Sequence, residues 1–303
     1  MAKHTRSRGD EAWKLILEHY LAEFLEFFFP DIRHDMEPGH YQFLDNELSG
    51  LSRRIGIGKR IADRLVKVFL NGGEEKWLLL HVEIQGEEEQ GTQFEERLFV
   101  FSYRIYDRHR RDVVTLAVLA DDRQDYRPAR FEMGGYDCQH LFEFPSVKLR
   151  DYRDRIDELE KSTNPFAVVV LAHLRHQETK SDKKMRLDWK IALAKSLEKR
   201  GFTEDACRDL LIFIDWLLAL PEPLEIVFNE TMKRHEEGKN MAYVTSAERI
   251  GRKMGKLEGM LEGELKGKLE KAWEVAKKLK EIGDDPAKIA IVTGLSEDEI
   301  REL

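Results

Sequence analysis

Ala62 to Gln85, ADRLVKVFLNGGEEKWLLLHVEIQ, is the stretch whose reading decides the fold. Asn71-Gly72-Gly73 carries the turn chemistry of a hairpin, and the segments on either side are rich in Val, Leu, Ile and Phe, as strands are. In the second strand the side chains alternate, so Leu80, Val82 and Ile84 share one face while His81, Glu83 and Gln85 share the other. A three-residue loop of Gly72, Gly73 and Glu74 sets Asn71 against Glu75 and, counting back, Asp63 against Glu83. Cross-strand partners lie about 4.5–5.5 Å apart, and two carboxylates at that separation repel each other unless a cation lies between them. A hard ion such as Mg²⁺ (or Mn²⁺) bound by Asp63 and Glu83 is one reading. A solvent-facing hairpin with acidic residues on its wet side is the other.

Composition narrows the class. The 303 residues are 42% hydrophobic and 36% charged, enough for a substantial core and unlike a disordered chain. Two cysteines, Cys138 and Cys207, are too few for a disulfide framework or a zinc site and fit a reducing compartment. The basic N-terminus MAKHTRSRGDEAWK is followed by no apolar signal core, and the apolar runs at Phe166–Leu174 and Leu210–Leu220 fall short of a membrane span. The expectation is a cytoplasmic protein with no membrane partner. A net charge of −8 argues against a broad electrostatic grip on nucleic acid, though not against a local one.

The coarse order of elements is strand and helix first, helix afterwards. Glu11 to Phe29 reads as one amphipathic helix ended by Pro30, and Tyr41 to Leu48 is ambiguous. Gly91 to Arg111 has helical spacing, with Phe94, Leu98, Phe101 and Ile105 on one side and Arg97, Arg104, Arg108 and Arg111 in a stripe beside it. Such a row suits phosphate contact through Arg97 and Arg104, or a solvated face paired with Glu95 and Glu96. Arg53, Arg54, Lys59, Arg60 and Arg64 form a second basic cluster, on a glycine-containing loop. Asp112 to Ala120 reads as a buried central strand, with Gln139 to Phe144 a weaker candidate. The helix between would be a crossover, giving a mixed sheet. Helices follow at 165–175, 182–199, 203–220 and 223–235.

The order Phe43-Leu44-Asp45-Asn46-Glu47-Leu48, then Asp63 opening a strand, then His81-Val82-Glu83-Ile84-Gln85, then Phe94 and Arg97, resembles the Rpn family of recombination-promoting nucleases and transposases. That family is a branch of the PD-(D/E)XK nuclease superfamily. The resemblance extends through Asn164-Pro165-Phe166-Ala167, Phe213-Ile214-Asp215-Trp216 and Tyr243 to Arg249, covering nearly the whole chain. It implies an α/β fold, a restriction-endonuclease-like mixed sheet flanked by helices and followed by an all-helical C-terminal region. It also implies a metal-dependent DNA endonuclease linked to recombination or a mobile element. Carried over by position, Asp63 and Glu83 are the metal ligands, and Gln85 stands where the superfamily has a catalytic lysine. Asp45 and Glu47 are further acidic candidates. An amide can orient a water but carries no charge to neutralise a transition state. A catalytically silent nuclease fold serving as an oligomeric interaction module is therefore the rival reading.

The expected divisions are 1–151 for the nuclease-like core, 152–245 for a helical domain and 246–303 for a tail. In the tail Gly251, Gly255, Gly259, Gly263 and Gly267 recur every fourth residue opposite a leucine stripe. Each glycine costs about 1 kcal/mol in a helix interior, so a homo-oligomeric contact or a fold-back is expected, with a frayed linker as the alternative. Residues 286–292 and 296–300 read as two short helices, the second too acidic to meet DNA phosphate.

Overall fold

The computed structural model describes residues 12–44, 64–83, 93–237, 273, 275–280 and 284–293. It divides into two compact units, Met1–His235 and Glu236–Leu303. The first holds a five-stranded mixed sheet with helices. Its elements are α1 (12–19), α2 (Leu21–Phe28), α3 (Pro30–Asp35), β1 (Met36–Phe43), β2 (Arg64–Leu70), β3 (Glu75–Glu83), α4 (Gln93–His109) and β4 (Val113–Leu119). There follow β5 (Arg130–Gly135), β6 (Cys138–Glu143), β7 (Ser146–Lys148), a 3-10 segment Leu149–Arg155, α5 (Ile156–Lys161), α6 (Pro165–Glu178), α7 (Lys183–Lys199), α8 (Glu204–Leu217) and α9 (Glu222–Glu237).

The sheet runs β1-β2-β3-β4-β7. Its first three strands form an antiparallel meander, and β4 and β7 then add parallel to β3. Parallel neighbours require a crossover, and α4 supplies it between β3 and β4. The helix forms because its apolar residues repeat at helical spacing: Phe94, Leu98, Phe101 and Ile105 are all buried, as the periodicity predicts. Phe101 and Ile105 pack on Leu65, Trp77 and Leu79, while Phe94 and Leu98 pack on Ala117, Leu119 and Phe144. The face that the alternation assigns to Glu83 is thus roofed by α4 at Trp77 and Leu79, which corrects the solvent-facing reading of the hairpin. The other face is buried too, at Val66, Val68, Leu78 and Leu80.

The hairpin register differs from expectation by two residues. Leu70 accepts from the Gly73 amide at 2.8 Å and donates to the Glu74 carbonyl at 2.8 Å, so the loop is Asn71-Gly72-Gly73. Gly73 has φ +81°, the left-handed position that closes a three-residue loop and that glycine adopts without strain. A loop of 72–74 would have put Glu74 there. Arg64 therefore lies opposite Leu80 rather than Val82, and the expected pairing of Asp63 with Glu83 is not the register of these strands. A slip of two keeps each residue on its own face.

Three further expectations are corrected. The single helix over 11–29 breaks at Tyr20 (φ −132°, ψ 38°), and Pro30 opens α3 as its first residue instead of ending what precedes it. Of the ambiguous segment 41–48, Tyr41 to Phe43 belong to β1, and 45–48 lie outside the described residues. Arg64 is not a loop cation: it is 5% exposed, donates to the Lys14 carbonyl at 2.8 Å and Glu18 at 2.7 Å, and lies over the Phe43 ring. It ties α1 to the sheet.

The helical part follows its capping signals. Asn164 accepts from the Phe166 amide with Pro165 at the first helical position, Asp182 accepts from Lys184 and Met185, and Thr203 accepts from Ala206. Helix α6 is buried from Pro165 to Arg175, which explains its continuous apolar sequence. The second unit contains a helical stretch at 275–280 and α10 (Pro286–Thr293), with Ala276 and Ile289 buried against Trp273, Leu279 and Ala290. The glycine repeat and residues 296–300 lie outside the described residues.

Candidate functional site

Three parallel strands end together. Glu83 closes β3 beside Leu119 of β4, and Leu119 lies beside Lys148 of β7. Ligands of open α/β sheets collect at this carboxyl edge, because the loops that leave it splay apart.

Just past β4, Asp121 accepts from the Lys148 ammonium at 2.6 Å, and the side chains are 4% and 1% exposed. Lys148 also donates to the Tyr126 carbonyl at 3.2 Å. The second Asp121 oxygen accepts from the Arg123 amide at 3.0 Å and its guanidinium at 3.3 Å. Burial pushes the Lys148 pKa down, and the hydrogen bond and charge of Asp121 oppose that shift. A buried ammonium needs such a partner, since an unpaired one would lose its proton. Arg123 covers the Tyr126 ring at 3.8 Å, and Tyr126 meets Phe94 edge-on, which anchors the pair to α4.

The end of β4 is tied to the helices. Gln177 donates to the Ala120 carbonyl at 2.9 Å, Arg150 donates to the Asp122 carbonyl at 2.6 Å, and Lys180 pairs with the Asp122 carboxylate. Arg127 grips Asp151 with two parallel bonds of 2.7 and 2.6 Å. That grip holds the Asp151 carboxyl below the usual range. Arg127 and Asp151 line, together with β7, a cavity of about 390 Å³.

Of the residues expected from sequence, Asp45, Glu47, Asp63 and Gln85 lie outside the described residues, as does the Glu83 side chain; the Glu83 backbone closes β3. Arg97 is 8% exposed with its guanidinium over the Phe94 ring at 5.4 Å, on the packed side of α4, whereas Arg104 is half-buried and Arg108 and Arg111 are exposed. Among the described residues no group of three His, Cys, Asp and Glu side chains could hold a metal. The Asp121 oxygens are already engaged by Lys148 and Arg123. Sequence reasoning missed this pair, because a lysine in a three-residue strand carries no periodic signal.

No family model matches the chain. No curated protein and no solved structure matches it either. No helix among the described residues is long and apolar enough to cross a membrane.

Proposed function

We propose that this chain is a metal-dependent DNA endonuclease on a restriction-endonuclease-like sheet. The observation that carries the reading is the position of Glu83, at the carboxyl end of β3 and in register with the ends of β4 and β7. The antiparallel meander, the α4 crossover and the parallel β4 are compatible with such a site. Asp63 and Glu83 would hold Mg²⁺ or Mn²⁺, a choice that suits hard carboxylate oxygens. Bound there, the ion would lower the pKa of a water and stabilise charge on the phosphate. Gln85 would orient that water by accepting one of its hydrogens and would donate to a phosphate oxygen. Arg104, half-buried on α4, would contact the backbone of the substrate.

Nicking of supercoiled plasmid with and without Mg²⁺ or Mn²⁺ tests the reading. Asp63→Ala and Glu83→Ala should each abolish nicking without lowering the melting temperature, and Gln85→Ala should slow it about 10²–10³-fold. A folded wild-type protein that nicks nothing in either metal overturns the proposal. Gln85 in place of lysine favours a second reading, an inactive nuclease fold that acts as an oligomeric interaction module. Absent cleavage, together with a mass above the monomer by light scattering, would support that reading.

A further inference from the structure

The cavity beside β7 combines two kinds of wall. Leu119 and Val147 are apolar, and the half-buried Tyr152 ring stacks on Phe27 at 5.4 Å and 23°, so its position is fixed from behind. Arg127 and Arg155 are exposed at the rim, and Lys148 lies beneath with its ammonium committed to Asp121. Among the described residues Asp151 is the one carboxylate of the lining. Each of the three cations is paired with a carboxylate, Lys148 with Asp121, Arg127 with Asp151 and Arg155 with Glu158, so the lining is charge-compensated and its cations are already oriented.

Both rim arginines are held by solvent-exposed partners. Arg127 pairs with Asp151 at 51% and 48% exposure, and Arg155 pairs with Glu158 at 57% and 65%. The Arg155 pair, made to one carboxylate oxygen, is worth about 0–1 kcal/mol, and the bidentate Arg127 pair, although stronger, is open to solvent, so an incoming anion competes for the same donors. A guanidinium presents a planar fork of donors that matches the oxygens of a phosphate, and two of them across one opening define a place for such a group. Arg155 lies over the Tyr152 ring at 5.4 Å, so a cation and an aromatic group meet at the rim. The Ser146 hydroxyl adds a neutral polar group at the edge strand. A volume of about 390 Å³ falls within the range of small-molecule sites, about 300–1,000 Å³.

We propose that this cavity binds a nucleotide unit, with its phosphate between Arg127 and Arg155 and its base against Tyr152, Leu119 and Val147. The proposal does not depend on cleavage. The unit can be a free nucleotide or the phosphorylated end of a strand, and the two sources share this chemistry.

Binding is measured in EDTA, so that nuclease activity has no part in the outcome. The probes are thymidine 5′-monophosphate and inorganic phosphate by calorimetry, and a labelled 5′-phosphorylated single-stranded oligodeoxynucleotide by fluorescence anisotropy. Arg127→Gln/Arg155→Gln should weaken binding about tenfold or more, the scale of losing charge-assisted hydrogen bonds, while Arg234→Gln, an exposed α9 control, leaves it unchanged. Both variants should melt like the wild type, because the altered side chains are at the surface. If the mononucleotide binds as well as the oligonucleotide and both lose affinity in the double variant, the cavity takes free nucleotides. If only the oligonucleotide binds and loses affinity, it takes a strand end. Wild-type protein that binds neither, equal affinity in the double variant, or inorganic phosphate binding as tightly as the mononucleotide overturns the proposal.

Discussion

Two lysines are buried to the same degree in different surroundings. Lys148, at the carboxyl edge of the sheet, is paired with one buried carboxylate and borders an open cavity. Lys190, in the helical region, meets two carboxylates, Asp215 at 2.9 Å and Glu225 at 2.7 Å, which are 43% and 34% exposed, and lies 4.4 Å from the centre of the Phe228 ring. The helical region treats its buried histidine in a third way. His173 lies among Trp13, Phe213 and Trp216, and burial pushes its pKa down to about 3, so it is neutral. His173 thus sheds its charge and Lys190 leads its charge out to solvent, while Arg186 and Asp209 in the same helical region stay buried on hydrogen-bond partners; what sets Lys148 apart is the cavity beside it. A buried charge beside a cavity is the arrangement in which functional sites cluster.

The largest effect should come from the sheet edge. Asp121→Ala removes the buried counter-charge of Lys148, and a chemical denaturation series should show a loss of about 3–5 kcal/mol. Asp121→Leu/Lys148→Met, which removes both charges, should recover most of it. If Asp121→Ala costs no more than a surface mutation, the contrast between the two regions fails.

The next effect tests the neutral histidine. Its folded pKa lies below the unfolded value near 6.5, so its share of stability is complete above pH 6.5 and declines as pH falls toward about 3. At about 1.4 kcal/mol per pH unit, the wild type should lose about 2 kcal/mol by pH 5 from this residue alone. His173→Leu should flatten that limb of a melting-temperature profile, and an identical slope in the variant would show that other groups carry the acid response. The smallest effect belongs to Lys190→Met. The methionine keeps the packing of the stem on Phe228, and the two carboxylates left behind can reach water, so a cost of about 1 kcal/mol is expected in the same denaturation series. A loss as large as that of Asp121→Ala would make the two lysines equivalent.

Much of this architecture is legible in the sequence. The α4 stripe of Phe94, Leu98, Phe101 and Ile105, the buried β4 run and the helices from Pro165 onward all follow from periodicity and caps. What escaped has identifiable causes. The hairpin register turned on which glycine takes the left-handed position, a choice that Gly72-Gly73 leaves open in sequence. Strand β5 is not legible in the sequence, and β6 only as the weaker candidate 139–144: among the described residues the two pair with each other and are almost wholly exposed beyond Phe131 and Phe142, so they lack the buried alternation that reveals a strand. Their turn, Tyr136-Asp137, has φ +52° and +65°, the two left-handed residues of a tight hairpin turn, without the glycine that normally advertises one. At the candidate site, Glu83 was found through its strand. Asp121 and Lys148 were not, because their meeting depends on β7 pairing outside β4 after the chain has gone out and back along the ribbon.

That late return shapes how the chain must be made. Strand β4, VVTLAVL, is a largely apolar segment without charge or proline, and among the described residues β7 covers its outer edge at Ala117 to Leu119. While synthesis has not yet reached Ser146, even that end of the edge is open to pairing with another copy, the circumstance in which such sequences aggregate. A fragment ending at Arg130 should therefore precipitate on expression where one ending at His235 does not, so that three residues of edge strand serve as the chain's protection against its own neighbours on the ribosome.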